Sequence, residues 1–286
     1  MSILVIGRSG QLASALAHLR QTAGFSAIFL GSNDHDALDV SSTCKIIESG
    51  QIRTLINTAA YTKVDQAEAE PDAARRLNTD LPLALAQACK LTHTHFIHIS
   101  TDYVFDGSKP VGQTYGPDDP TAPINIYGQS KRAGEQGVLE CLSTASVVRT
   151  SWLMSRFGTN FLRTMASLIS SRAALNIVND QWGTPTIAGD LAHALIYKIA
   201  QEPARFSGIE HICGNQICTW FDVAGYVRDA LKNTGQRVAQ LNPIATSGYP
   251  TPARRGRNTA LTSSIALPTN LQDAIAKEVS ARASEQ

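Results

Sequence analysis

A chain of 286 residues with 43% apolar and 17% charged side chains can build one large or two modest domains, and it is not a disordered segment. A net charge of +1 without a long basic run argues against a broad nucleic-acid surface, and no apolar run reaches the span of a bilayer. Five cysteines (Cys44, Cys89, Cys141, Cys213, Cys218) without a Cys-x-x-Cys pair read as buried small hydrophobes rather than a disulfide frame or a thiolate metal site.

The first apolar run, Ile3 to Ile6, reads as a strand. No charged leader precedes it, so the expected location is the cytoplasm. Gly7-Arg8-Ser9-Gly10-Gln11-Leu12-Ala13 follows, a G-x-x-G-x-x-A loop that opens a helix predicted to about Arg20. Glycines between a first strand and a first helix let backbone N–H groups approach a pyrophosphate, so residues 7–12 are candidate dinucleotide ligands. The second strand, Ala27 to Leu30, ends in Gly31-Ser32-Asn33, where a strictly NAD-dependent protein would carry an acid for the ribose. Arg8 lies in the glycine loop and can meet a 2′-phosphate, so NADPH is favoured over NADH. Asp39 and Val40 are expected to line the adenine pocket.

Thr54 to Asn57 is the third strand, and Ala59, Ala60 and Tyr61 at its end are small or flat enough for a cofactor to pass. A long helix is predicted from Pro71 to Lys90, with Leu77, Leu81, Leu85 and Ala88 on one stripe. Phe96 to Ile99 is the next strand and delivers Ser100, Thr101 and Asp102. His93, His95 and His98 crowd this segment, but strand alternation sends His98 to the opposite face from the other two, against a metal site. Asp106 to Pro123, rich in Gly, Pro and Asp, reads as a functional loop of the lid or binding kind.

Tyr127 and Lys131 stand four apart at the start of the next helix, which places them on one face one turn apart. A phenol beside an ammonium, facing the Thr101 hydroxyl, can protonate a carbonyl oxygen under reduction. The ammonium is expected to draw the phenol's pKa down. A further strand spans Ala145 to Arg149. Beyond Trp152, helices near 161–170, 188–200 and 220–232 are separated by Gly/Pro loops. Arg254-Arg255-Gly256-Arg257 is a basic cluster, either a solvated turn or a clamp for a diphosphate. Strands alternating with helices predict an α/β fold, a Rossmann-type doubly wound parallel sheet over residues 1–150. A smaller substrate-binding region is expected over 151–286, the two interleaving or not.

These residues resemble the extended short-chain dehydrogenase/reductases, and among them the dTDP-4-dehydrorhamnose reductase family. The likeness runs through NTAAYTKVDQAE (57–68), STDYVFDG (100–107), TAPINIYGQSK (121–131), RTSW (149–152), NDQWGTP (179–185) and YPTPARR (249–255). It implies NADPH- or NADH-dependent reduction of the C4 ketone of dTDP-4-dehydro-L-rhamnose. Tyr127 would be the proton donor, Lys131 would hold the nicotinamide ribose and tune Tyr127, and Thr101 would bond the substrate oxygen. Asp102, Trp152 and the Arg254-Arg255 pair would contact the sugar nucleotide. Some members use Mg²⁺ at a dimer interface, which makes a homodimer and a magnesium ion part of the expectation. A talose-forming reductase, an epimerase and a non-catalytic nucleotide-binding subunit share much of this pattern. Three departures stand out. The loop's last glycine is Ala13, no acid precedes the TAP segment at Gly116-Pro117, and Gly256 and Thr259 replace a Pro…Ser pattern. The C-terminal tail also lacks the family's apolar, Trp-bearing helix entry.

Overall fold

Six short apolar runs pair edge to edge: β1 (Ser2–Ile6), β2 (Ser26–Leu30), β3 (Thr54–Asn57), β4 (His95–Thr101), β5 (Ser146–Thr150) and β6 (Gly208–His211). The computed structural model describes residues 2–201, 206–267 and 270–284. The strands lie in the order β2-β1-β3-β4-β5-β6, every neighbouring pair parallel. Parallel sheets are covered on both faces, which is why β3 and β5 are buried at every position. The chain steps outward from β1 to β2 and then returns past β1 to β3. In such a doubly wound, Rossmann-type sheet the crevice opens at that switch, beyond the carboxyl ends of the strands.

The covering helices include α1 (Gln11–Ala23), α2 (Val40–Ser49), α3 (Leu81–Leu91), α4 (Ile126–Cys141), α5 (Phe161–Ser171), α6 (Ala188–Gln201), α7 (Trp220–Asn233) and α8 (Leu271–Ser284). Strand alternation sorts the core into two layers. Ile3, Val5, Ile97 and Val148 meet Leu12 and Leu16 of α1 and Leu191 and Leu195 of α6. On the other face Leu4, Leu55, Phe96 and Val147 meet Ile47, Leu85 and Val138 of α2, α3 and α4. A third core joins α5, α7 and α8, with Ile169, Val227 and Ile275 at its centre. Residues after 150 thus supply both a sheet strand with its covering helix and a separate helical layer. No helix among the described residues is long and apolar enough to cross a membrane.

Three sequence expectations change. The helix predicted as one piece over 71–90 is Pro71–Arg75 and α3 joined by a π-helical turn, Arg76–Asp80. That turn aims Asn78 inward, where its amide bonds both backbone groups of Tyr61 and the Ser130 hydroxyl of α4. The 106–123 loop is strapped down rather than poised to close. Tyr115 pairs with the 260–262 segment, and the Asn258 amide donates to the Pro110 and Gln113 carbonyls. Asp119, two residues past Pro117, accepts from the Gly116 N–H and pairs with Lys109, so the missing acid is supplied a little later. The tail forms α8 without a tryptophan, since Leu271, Ile275 and Val279 recur at helical spacing and enter the third core.

Candidate active site

A cleft of about 1410 Å³ runs along the carboxyl ends of the strands, from Gly7–Leu12 and Gly31–Leu38 at one end to Trp152, Phe161 and Trp220 at the other. Its first wall is the turn between β1 and α1. Gly7 has φ +106°, and a Cβ there would lie 2.4 Å from Thr58 Oγ1, so only glycine fits against the end of β3. A Cβ on Gly10 would meet nothing within 4 Å. The N-terminus of α1 has no side-chain cap and no acid in its first turn. Its free N–H groups and dipole therefore face the cleft, ready for an anion. Gln11 ties this turn to the second half, donating to the Leu153 carbonyl and accepting from Ser155.

The chemical centre sits where β4 meets α4. Thr101 ends β4 and caps the short 3₁₀ turn Asp102–Val104, accepting from the Tyr103 N–H and donating to Asp102 Oδ1 at 3.2 Å. Asn125 caps α4 through the Gly128 N–H, which fixes the entry of Tyr127. A Cβ on Gly128 would lie 2.2 Å from the Tyr103 carbonyl, so the bare residue lets α4 press onto that turn. The Tyr127 ring meets Tyr103 edge-on, and it lines the cleft together with Thr101. Lys131 Nζ donates to the Ile99 carbonyl at 2.7 Å and lies 3.3 Å from His98 Nε2. Burial pushes the Tyr127 phenol up, and the nearby Asp102 and Tyr103 add to the rise. This reverses the sequence expectation, because desolvation outweighs any help to the phenolate. Burial also brings Lys131 down to about 8 against the opposing pull of Glu135.

At the far end Asp102 is almost fully buried and pushed up to about 6 by desolvation, offset by bonds from Thr259 and Thr101. Thr259 Oγ1 donates to Asp102 Oδ2 at 2.6 Å. Gly256, just before it, crosses Gly107 so closely that a Cβ on Gly107 would lie 2.4 Å from the Gly256 Cα. The Gly256…Thr259 departure therefore serves a backbone crossing and a bond to the site. Trp152, at φ +46°, stacks on Trp220 with ring centroids 3.5 Å apart, and its indole occupies the space a Cβ on Gly183 would take. Arg255 is bound to Asp65 through both oxygens at 2.8 Å and also bonds Tyr103. It lines a small side pocket with Trp152 and Trp220. Arg254 is exposed, and only its carbonyl is engaged, by Asn125.

Comparison with known proteins agrees with this geometry. The model of the RmlD substrate binding domain matches residues 1–275. The chain belongs to that family. It is 37% identical to a dTDP-4-dehydrorhamnose reductase of Sinorhizobium fredii, over 91% of this chain and 88% of the relative. It is 36% identical to the enzyme of the same name from Escherichia coli K12, over 91% and 89%. The crystal structure of dTDP-4-dehydrorhamnose reductase from Bacillus anthracis in complex with NADP superimposes with a TM-score of 0.88 at 30% identity, covering 97% of this chain and 98% of that one.

Within this RmlD-type fold, the cleft gathers Gly7 to Leu12, Ala59, Ala60, Thr101, Asp102, Tyr127, Lys131 and Trp152. Other candidates face elsewhere. Asp39 caps α2 through the Ser42 N–H and Val40 packs in the core, so Asp36, Ala37 and Leu38 form the wall there. The Tyr61 hydroxyl donates to Glu70. His98 is buried against Asn57 and Lys131, and His95 bonds Ser146 and the Phe206 carbonyl. Sequence reasoning missed Asp34, Thr259, Ser100 and Thr150. Ser100 stands one residue before the end of β4 and Thr150 ends β5, both in the cleft wall, and their buried hydroxyls have no partner. A hydroxyl just before Thr101 and another just after the predicted strand 145–149 were the available signal for them.

Proposed function

We propose that the chain reduces the C4 ketone of dTDP-4-dehydro-L-rhamnose to dTDP-L-rhamnose with NADPH or NADH, NADPH being preferred. The observation that carries this reading is the buried Tyr127, one helical turn from Lys131, in a single cleft with Thr101, the uncapped N-terminus of α1 and the tryptophan stack. The residues fit a nicotinamide dinucleotide. The α1 terminus and the bare Gly10 would take its pyrophosphate, and the partnerless Ser100 and Thr150 hydroxyls would take polar atoms of its nicotinamide end. Hydride delivery to C4 is the chemistry such a cofactor supplies.

The protein's part is to bind, orient and protonate. Thr101 hydrogen-bonds the substrate carbonyl, and Tyr127 gives its phenolic proton to that oxygen as C4 becomes tetrahedral. A phenol held up by burial is stocked with its proton before the step, which suits reduction. Lys131 holds the ribose and restores the proton afterwards. Asp102, Trp152 and the region after 151 hold the sugar nucleotide, with Arg255 placed to bound it from the side pocket. A nucleotide-sugar substrate supports a cytoplasmic location for this reading. Chromatography with and without Mg²⁺ tests the homodimer that the resemblance implies.

The deciding experiment follows reduced-nicotinamide absorbance on mixing with dTDP-4-dehydro-L-rhamnose and identifies the product. Oxidation with dTDP-L-rhamnose formed supports the reading. The C4 epimer would change the substrate pose, and an epimerase would show no net oxidation. Tyr127→Phe is expected to lose roughly 10²- to 10⁴-fold in turnover with dinucleotide affinity intact, and undiminished turnover would overturn the role of Tyr127.

A further inference from the structure

The carboxyl end of β2 is the place where a doubly wound sheet presents an acid to the adenosine ribose. This chain has Gly31 there, and its primary structure shows no acid at that position. The fold supplies one from three residues further on. A tight turn returns the Asp34 carboxylate to the strand end, where Oδ2 accepts the Gly31 N–H at 2.8 Å. Arg8 reaches across from the glycine loop, and its Nη1 lies 3.1 Å and 3.2 Å from the two oxygens of Asp34. Gly31 leaves room for this meeting. A Cβ there would lie 3.3 Å from the Arg8 Cβ, tight enough to push Arg8 aside by a few tenths of an ångström, and in ordinary contact with Asp34 Oδ2 at 3.5 Å.

Resting on the dinucleotide reading of the cleft, we propose that Asp34 and Arg8 form a two-way selector for the adenosine ribose. Asp34 accepts the 2′-hydroxyl of NADH, and Arg8 leaves Asp34 to bind the 2′-phosphate of NADPH. Both residues line the cleft at its glycine-loop end. Asp34 is acceptor-only as a carboxylate, so it suits a hydroxyl donor and repels a phosphate. It stays ionised at neutral pH, because the Gly31 N–H and then the Arg8 guanidinium hold it below the usual carboxylate range. The side chains are 66% and 31% exposed for Arg8 and Asp34, so the ion pair is weak and yields to a stronger anion. A phosphate offers that anion, with fork geometry matched to guanidinium. Asp34 is thus the residue that keeps the protein from strict NADPH dependence.

The test titrates the protein with NADPH and with NADH in the absence of sugar nucleotide, following nucleotide fluorescence. Asp34→Asn keeps an oxygen for the Gly31 N–H, so the turn survives while the charge is lost. NADPH is expected to tighten and NADH to weaken, roughly fivefold each, which shifts their ratio by more than tenfold. Arg8→Gln is expected to weaken NADPH roughly tenfold and leave NADH within about twofold. If Asp34 only shapes the turn, Asp34→Asn moves both affinities together, and a ratio unchanged within about twofold overturns the proposal. Wild-type protein that binds neither dinucleotide overturns the parent reading instead.

Discussion

Three buried titratable groups share one small volume, and their environments set distinct proton states. Lys131 changes charge on the alkaline side of neutrality. With its ammonium lowered to about 8 by burial, it is protonated below that value and neutral above it. We expect kcat/KM for the cofactor to fall through an alkaline limb near pH 8, and Lys131→Arg to remove the limb, Arg staying charged throughout. A profile flat to pH 10 would refute the assignment. Asp102 works in the opposite sense. Its folded pKa of about 6 lies above the ordinary carboxylate value of 3.8, so the folded state binds the proton more tightly. The contribution of Asp102 to stability is most favourable at low pH and declines as pH rises from about 4 to 6, reaching a penalty of about 2–3 kcal/mol above that window. Asp102→Asn should therefore raise the urea midpoint at pH 7.5 but not at pH 4, while weakening sugar-nucleotide binding. Equal shifts at both pH values would contradict this account.

Helix α4, which carries Tyr127 and Lys131, owes its position to its bare residues. Gly128 admits the Tyr103 carbonyl, and Gly134 admits the Asn78 carbonyl of the π-helical turn, where a Cβ would sit 2.0 Å away. Gly134→Ala should cost about 1–3 kcal/mol by overpacking and reduce turnover, since the helix can relieve the clash only by moving Tyr127 and Lys131 with it. Urea denaturation and initial rates check both effects together. The helix and its Tyr–Lys pair were legible in the sequence because both obey helical periodicity, and the glycine loop because it sits between a strand and a helix. The π-helical turn was not, since its signature is a side-chain bond from Asn78 to a distant loop. Nor was Thr259, whose 157-residue separation from Asp102 leaves no local pattern. Asp34 escaped for a third reason: the acid belongs on the strand end by rule, and a turn brought it there from outside the expected position.

Across the molecule, the segment carrying Tyr249 to Thr259 returns from the far end of the chain to close over the first half. Asp65 bonds the Ala253 N–H and grips Arg255, while Thr259 reaches Asp102. Since Asp65 is half exposed, Asp65→Asn should change stability by less than about 1 kcal/mol. It should nonetheless raise KM for the sugar nucleotide with cofactor affinity unchanged, which steady-state kinetics and dinucleotide titration separate. A rise in both would show that the clamp holds more than the substrate side. The late position of β6 bears on how the chain is made. The ribosome must extrude the chain past His211 before β5 gains its outer neighbour, and α1 waits for α6 to cover its apolar face. Until then the nascent chain carries Thr101, Tyr127 and Lys131 beside a sheet with an open, apolar edge, the kind that recruits other strands. A message truncated after Thr150 should accordingly yield aggregate rather than a small dinucleotide-binding module, and a soluble 1–150 fragment that binds NADPH would disprove it.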